Sequence, residues 1–201
     1  MVNFVADNVG FGDVNLRNLK IEYTKAETVG GSETIKYPFD SLCFVANGTG
    51  FASSGGKTWR DLSRGETVYV RKNEEFTFVS TGTDEFEIYS VIVDTYGNDD
   101  FFGAIGFSNE KRVCSLDGKM TVVEEIYKTA KKGNSASAYE SVGKFFEVIS
   151  YFAQASEGEE KPRTDENEYV AKAKEFIHMQ YHLDINVTII AEAVYLNRSY
   201  F

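Results

Sequence analysis

Between Leu16 and Val93 the apolar residues come in short runs separated by Gly, Asn and Ser. Leu19-Lys20-Ile21-Glu22-Tyr23 alternates cleanly, and Leu42-Cys43-Phe44-Val45 is unbroken. Residues 67–70 follow Arg64-Gly65-Glu66, residues 76–79 come next, and 86–93 is the longest run. Short strands at this spacing, with turn residues between them, predict an all-β sandwich or barrel. The Gly-rich tips at 46–50 and 53–56 predict hairpin turns. Residues 1–15, rich in Gly, Asn and Asp, predict an arm with Phe4, Val5 and Phe11 as anchors.

After Tyr96 the strand texture fades through a polar, Gly-containing stretch, and a period near 3.6 takes over. Val123, Ile126, Tyr127 and Ala130 line one helix face, with Asp117 as its expected N-cap and Gly133 as its stop. Ser137 and Glu140 have capping-box spacing for a second helix, in which Val142, Phe145, Phe146, Ile149, Phe152 and Ala153 form a broad stripe. Residues 157–168, EGEEKPRTDENE, carry no apolar side chain and read as a solvated linker.

Beyond the linker, Asp165 and Glu168 have capping-box spacing before a helix striped by Val170, Ala173, Ile177 and Tyr181. Asn186 then caps a short helix with Val187, Ile190, Ala191 and Val194 on one face, and Asn197 is the next cap. The expected class is therefore mainly β with α. A barrel domain with two amphipathic helices spans 1–156, a linker 157–168, and a partial helix-turn-helix 169–201.

Charge and chemistry narrow the function. The 201 residues carry a net charge of -10, which argues against nucleic acid as a direct partner of the bulk of the chain. After Pro162 the basic Arg163, Lys172, Lys174 and Arg198 are outnumbered by Asp165, Glu166, Glu168, Glu175, Asp184 and Glu192. The N-terminus has no basic region before an apolar stretch, and no run is long enough to span a membrane, so a cytoplasmic protein with no membrane partner is expected. Cys43 and Cys114 read as buried thiols in a reducing compartment.

The only histidines, His178 and His182, are spaced i, i+4 after the linker with no third ligand nearby, so no metal and no cofactor are expected. Neither cysteine has a histidine in the same domain, and no Gly-x-Ser-x-Gly or phosphate-cradling loop occurs. The adjacent acids Glu74-Glu75, Asp99-Asp100 and Glu159-Glu160 fall in turns or the linker. Binding, not catalysis, is the expected activity.

The terminal segment supplies Asp184, Ile185, Asn186, Val187, Ala191, Val194, Leu196, Asn197, Ser199, Tyr200 and Phe201 in the order of a known pattern. It resembles the first helix-turn-helix of the AraC/XylS family of bacterial transcription regulators. Tyr195 departs from it, standing where the family has Gly, and a side chain in a left-handed turn costs roughly 1 kcal/mol. The resemblance implies that Asn197, Arg198 and Ser199 open a DNA-facing helix, with DNA bound only by a longer protein that has the rest of the reader. It also implies a homodimer contact through helix 137–155. Further upstream, Asn47-Gly48-Thr49-Gly50, then Trp59-Arg60-Asp61-Leu62, then Gly65-Glu66 resemble the small cupin barrel at the N-terminus of sugar-sensing regulators of this type. Where a metal cupin's later histidine would follow, this chain has Glu75 and Phe76.

A barrel lined by aromatic rings with a few polar groups holds a small neutral molecule such as a sugar. The candidate contacts are Phe44, Trp59, Tyr69, Arg71, Phe78, Glu87 and Tyr89, of which alternation lets about half face inward. Trp59, the only tryptophan, and Arg71, a charge expected in a strand, are the least ordinary. Two rival readings are a metal-independent cupin enzyme, such as a sugar isomerase or epimerase, and a dimerisation module with a filled barrel. The enzyme needs an acid and a base facing each other inside, and Glu87 and Tyr89 are not expected to be there together.

Overall fold

The unbroken apolar run at 42–45 becomes a strand covered on both faces. The computed structural model describes residues 9–11, 14–16, 18–27, 29–95, 101–116, 118–156, 173, 176–177, 180 and 185–194. In it β5 (Asp40–Asn47) is the middle strand of a five-stranded antiparallel sheet, and residues 41–46 are all buried. Its neighbours are β8 (Glu66–Val70) and β10 (Phe86–Asp94), with β11 (Val113–Ser115) and β3 (Asn18–Ala26) at the edges. Alternation sends Cys43 and Val45 toward a second sheet and Leu42, Phe44 and Ala46 toward helices. A strand with one wet face would alternate in sequence; this one has none.

The second sheet holds β4 (Ser32–Lys36), β9 (Glu75–Ser80), β6 (Thr49–Ser54) and β7 (Lys57–Ser63), in that spatial order. From β3 to β10 the chain changes sheet at every connection except β6 to β7. That is the double-sheet roll of a cupin-like barrel, as expected. The turn at Gly55-Gly56 is the predicted hairpin, but Asn47-Gly48-Thr49 is a corner between sheets. Gly48 has φ +76°, and a Cβ there would stand 2.5 Å from the Glu85 carbonyl oxygen, so the corner admits glycine alone.

Part of the expected arm is ordered into a small antiparallel pair, β1 (Val9–Phe11) with β2 (Val14–Leu16); Phe4 and Val5 lie outside the described residues. The stretch after Tyr96 holds more structure than its texture predicts. It forms α1 (Phe101–Ala104) and then β11, which joins the sheet beside β8. Phe101, Phe102, Ile105 and Phe107 are all buried in the layer between sheet and helices.

α2 (Met120–Ala130) and α3 (Ser135–Ser156) cover the outer face of the five-stranded sheet. The cap of α2 is Lys119, with no side-chain cap bond, in place of the expected Asp117, which itself lies outside the described residues. Gly133, at φ +63°, closes its far end as predicted, donating to the Ala130 carbonyl at 3.1 Å. The capping box of α3 sits one turn before the expected Ser137–Glu140 pair. The Asn134 side-chain oxygen accepts from the Ser137 N–H at 2.9 Å, and the Asn134 N–H donates to Ser137 Oγ at 3.1 Å. Glu140 instead reaches Thr129 and Lys132 across the helical hairpin.

The stripe of α3 is spent within the chain: Val142, Phe145, Val148, Ile149 and Phe152 are buried against the sheet and α2. Tyr139, 70% exposed, and Gly143 face outward. A Cβ on Gly143 would meet nothing within 4 Å. Gly143→Ala should therefore stabilise the helix by about 0.5–1 kcal/mol, read as a raised Tm. A lowered Tm would mean that this face packs against something.

The chain divides into two units, Met1–Gly158 and Glu159–Phe201. In the second, α4 (Val187–Ala193) is capped as predicted: the Asn186 side-chain oxygen accepts from the N–H groups of Thr188 at 2.9 Å and Ile189 at 3.2 Å. Ile190 and Val194 pack with Ala173, and Phe176 lies against them. The expected stripe is corrected at Ile177 and Val187, which are 38% and 49% exposed; Phe176, at i+3 from Ala173, takes the inward place. The linker 157–168, Val170, Tyr181, both histidines and the proposed DNA-facing Asn197, Arg198 and Ser199 lie outside the described residues.

Candidate functional site

Three neighbouring strands place a polar row inside the barrel. Ser90 on β10 is the register partner of Glu22 on β3 and of Cys43 on β5, and alternation turns all three toward the space between the sheets. Cys43 Sγ lies 3.4 Å from Ser90 Oγ. Ser41, two residues along on the same face, is buried, and Glu22 is paired with Lys20. Tyr37, just beyond β4, is buried in the same cluster, and Ser90 and Glu22 are close enough to influence its hydroxyl electrostatically. Among the described residues no group meets full hydrogen-bonding geometry with that hydroxyl, though Ser90 and Glu22 stand near enough to interact with it. A buried hydroxyl left so costs about 1–3 kcal/mol, which a hydrogen-bonding guest would recover.

Facing the polar row are rings. Trp59 stacks on Phe76 with centroids 5.0 Å apart, Phe76 meets Phe78 at 5.6 Å, and Phe78 meets Phe86 edge-on at 6.4 Å. The interior thus joins an aromatic wall to a few polar groups, the composition of a small-molecule site. Its thiol is not a poised nucleophile. Burial pushes the Cys43 thiol up to about 12, against the opposing pull of the Ser90 and Ser41 hydroxyls, so it stays protonated at neutral pH. Among the described residues no group of three or more His, Cys, Asp or Glu is placed to hold a metal ion.

The seven residues expected to line this space are split by the sheet. Trp59 and Phe78 belong to the interior. Phe44, Tyr69, Glu87 and Tyr89 lie on the opposite face, under the helices, which corrects their expected place inside the barrel. Phe44 meets Phe152 with centroids 6.4 Å apart, Tyr69 stacks on Phe102 at 5.0 Å, and Tyr89 meets Tyr127 at 5.1 Å. Glu87 and Tyr89, two residues apart, do share a face, contrary to expectation, but it is the face that an acid-base pair inside the barrel cannot use. Arg71 is corrected too: it lies in the exposed turn after β8 and donates to Asn109 Oδ1 at 3.0 Å.

The chain gives its inward arginine elsewhere. Arg112, before β11, is 7% exposed, with its guanidinium carbon 5.9 Å from the Trp59 ring and 5.6 Å from that of Tyr69. Its Nη1 donates to Glu74 Oε2 at 2.7 Å and to the Tyr69 carbonyl at 3.3 Å. Glu74 also accepts from Ser54 Oγ at 2.8 Å and from the Arg71 N–H at 3.3 Å. Burial raises the pKa of Glu74, but the bonds from Arg112 and Ser54 outweigh it and hold the carboxyl below the usual carboxylate range. This cluster ties the β8–β9 turn, β6 and the β11 entry together beside the aromatic wall.

No protein-family model matches the sequence, and no curated protein matches it. Some solved structures are similar to it at low identity. ToxT from Vibrio cholerae is similar over 90% of this chain and 72% of its own, at 9% identity and a TM-score of 0.44. A ToxT structure with bound unsaturated fatty acid is similar over 96% of this chain and 72% of its own, at 10% identity and a TM-score of 0.45. A cupin superfamily protein from Desulfitobacterium hafniense is similar over 43% of this chain and 72% of its own, at 15% identity and a TM-score of 0.32. Likenesses of this size do not carry a function across. Among the described residues no helix is long and apolar enough to cross a membrane.

Proposed function

We propose that this chain is the sensing part of a ligand-responsive transcription regulator of the AraC type, with its effector held between the two sheets. The observation that carries the sensing half is the buried Tyr37 hydroxyl, without a well-formed bond among the described residues, at the end of the Glu22–Ser90–Cys43 row. A sugar is the first effector class to try: Trp59, Phe76 and Phe78 offer ring faces to its C–H side, and Tyr37, Ser90 and Glu22 can read hydroxyls. The regulatory half rests on the terminal residues 184–201 and on the capped helix that Asn186 starts. Asn197, Arg198 and Ser199 are the proposed DNA-facing residues, in a longer protein that supplies the rest of the reader. A homodimer contact through helix 137–155 completes the proposal, and light scattering tests it. The setting is cytoplasmic.

A thermal-shift screen of sugars and small metabolites tests the sensing function. A true effector at about 100 times its Kd should stabilise the protein by about 2.7 kcal/mol. Tyr37→Phe, which removes a buried hydroxyl without a well-formed bond among the described residues, should not lower the unliganded Tm and should shrink that shift. A panel in which no compound stabilises, or an effector indifferent to Tyr37→Phe, overturns the placement.

A further inference from the structure

Arg112 stands between the edge strands of the two sheets. It precedes β11, an edge of the larger sheet, and its guanidinium carbon is 5.9 Å from the ring of Trp59 on β7, an edge of the smaller. Its Nη1 is taken, by Glu74 Oε2 at 2.7 Å and the Tyr69 carbonyl at 3.3 Å. The edge formed by Nε and Nη2 is not. Nε is buried with no hydrogen-bond partner among the described residues, and Nη2 reaches Asn109 Oδ1 only at 3.5 Å, beyond the usual range of such a bond. Buried donors are nearly always paired, so an open one on a residue 7% exposed needs an acceptor. Glu74 is not that acceptor, because its carboxylate is already held by Arg112 Nη1, Ser54 and the Arg71 N–H. We propose that the effector is a sugar acid whose carboxylate sits on the Nε–Nη2 edge of Arg112.

This rests on reading the space between the sheets as the effector compartment, and it narrows the effector's class. Two parallel N–H groups of a guanidinium match the two oxygens of a carboxylate. Glu74 offsets the charge of Arg112 without covering that edge, so the preference comes from the fork. Arg71 adds to it, since its Nη1 donates to the same Asn109 oxygen at 3.0 Å. The fork and the polar row meet at one end of the barrel: the Asn73 N–H donates to the Tyr37 carbonyl at 2.7 Å, tying the end of the row to the turn that carries Glu74. Trp59, partly buried, belongs to both, stacking on Phe76 of the aromatic wall and flanking the guanidinium. A neutral sugar would leave the Arg112 Nε–H unpaired, and a plain alkyl acid would leave the Tyr37 hydroxyl unpaired. A sugar ring bearing a carboxylate answers both.

The test is a titration of the whole chain with D-glucuronate and D-galacturonate, with their neutral parents D-glucose and D-galactose, and with hexanoate. Thermal shift and the Arg112 Nε–H NMR signal, assigned by its loss in Arg112→Lys, are the two readouts. At least one uronate should raise the Tm, move that signal saturably and bind at least roughly tenfold tighter than its parent sugar. Arg112→Lys, which keeps the charge and loses the fork, should erase the uronate's advantage over its parent. If that variant unfolds, Asn109→Ala serves: it lies in an exposed turn, removes the weak competitor for Nη2, and should tighten the uronate severalfold while leaving the parent sugar unchanged. A neutral sugar that stabilises as well as its uronate, with the Arg112 signal unmoved, overturns the sugar acid and leaves the effector compartment standing. Hexanoate binding as tightly as the uronates overturns it as well, since the hydroxyls then contribute nothing. If no compound stabilises and no signal moves, the inference and the compartment fall together.

Discussion

Phe44→Ala should destabilise the β-domain by about 3–5 kcal/mol, the range for removing a fully buried phenylalanine from a packed core. Phe44 is 0% exposed on the middle strand of the larger sheet. Its ring meets Phe152 of α3 at 6.4 Å, and Phe152 meets Phe107 edge-on at 5.1 Å, so one cavity would open where strand, helix and the segment after α1 converge. With three rigid elements around it, the site has little freedom to collapse. Phe44→Leu, which keeps most of the volume, should cost less than about 1.5 kcal/mol. Phe152→Ala should match the cost of Phe44→Ala, and the double variant should fall short of the sum by about 0.5–3 kcal/mol, because both single changes empty the same space. Urea denaturation reads all four. If Phe44 were an effector contact, the alanine variant would keep its stability and lose only the ligand-induced shift. The structure requires the reverse.

That contrast also shows where sequence reading stopped. Alternation says which residues of a strand share a face; it does not say which face lies inside the barrel when both are apolar. Along β5 and β10 both faces are buried, one by the second sheet and one by helices, so Phe44 and Tyr89 carry no local mark of their side. Trp59 and Phe78 sit on strands of the sheet whose outer face is polar, and there the pattern was sufficient. Caps follow the same logic. Asn186 was legible because its bonds reach two and three residues ahead, whereas Ser137 and Asn134 offer two overlapping capping boxes that only the hairpin geometry separates. Tyr37 lies at a strand end beside a proline, and Arg112 follows the polar Ser108-Asn109-Glu110-Lys111, so neither shows a period that points inward. Their neighbours come from residues more than thirty positions away, such as Ser90 for Tyr37 and Glu74 for Arg112. Such pairings are set by topology, which composition does not contain.

Arg112→Met is the second large effect expected, a loss of about 3 kcal/mol. Removing one member of a buried ion pair leaves its partner's charge uncompensated, and Glu74, with its side chain 22% exposed, cannot turn fully to water while Ser54 and the Arg71 N–H hold it. The partial exposure of Glu74 puts the loss at the lower end of the range for buried pairs. For a domain of this size each kcal/mol corresponds to about 2–4 °C in Tm. Lysine should restore only part of the loss, since an ammonium lacks the planar fork that bonds Glu74 and the Tyr69 carbonyl while staying within 6 Å of the Trp59 and Tyr69 rings. Acid provides an independent check. The folded pKa of Glu74 is below its unfolded value, near 4.3, so its contribution is complete above that pH and is lost as pH falls through the folded value. Wild type should therefore lose stability by this route below about pH 4, and Arg112→Met, having already forfeited the pair, should show a flatter acid limb. In the Arg112→Met/Glu74→Gln double variant, with no stranded charge, stability at neutral pH should rise back above that of Arg112→Met alone. If the double variant is less stable than Arg112→Met, the arginine is held by packing against Trp59 and Tyr69 and the ion pair contributes little.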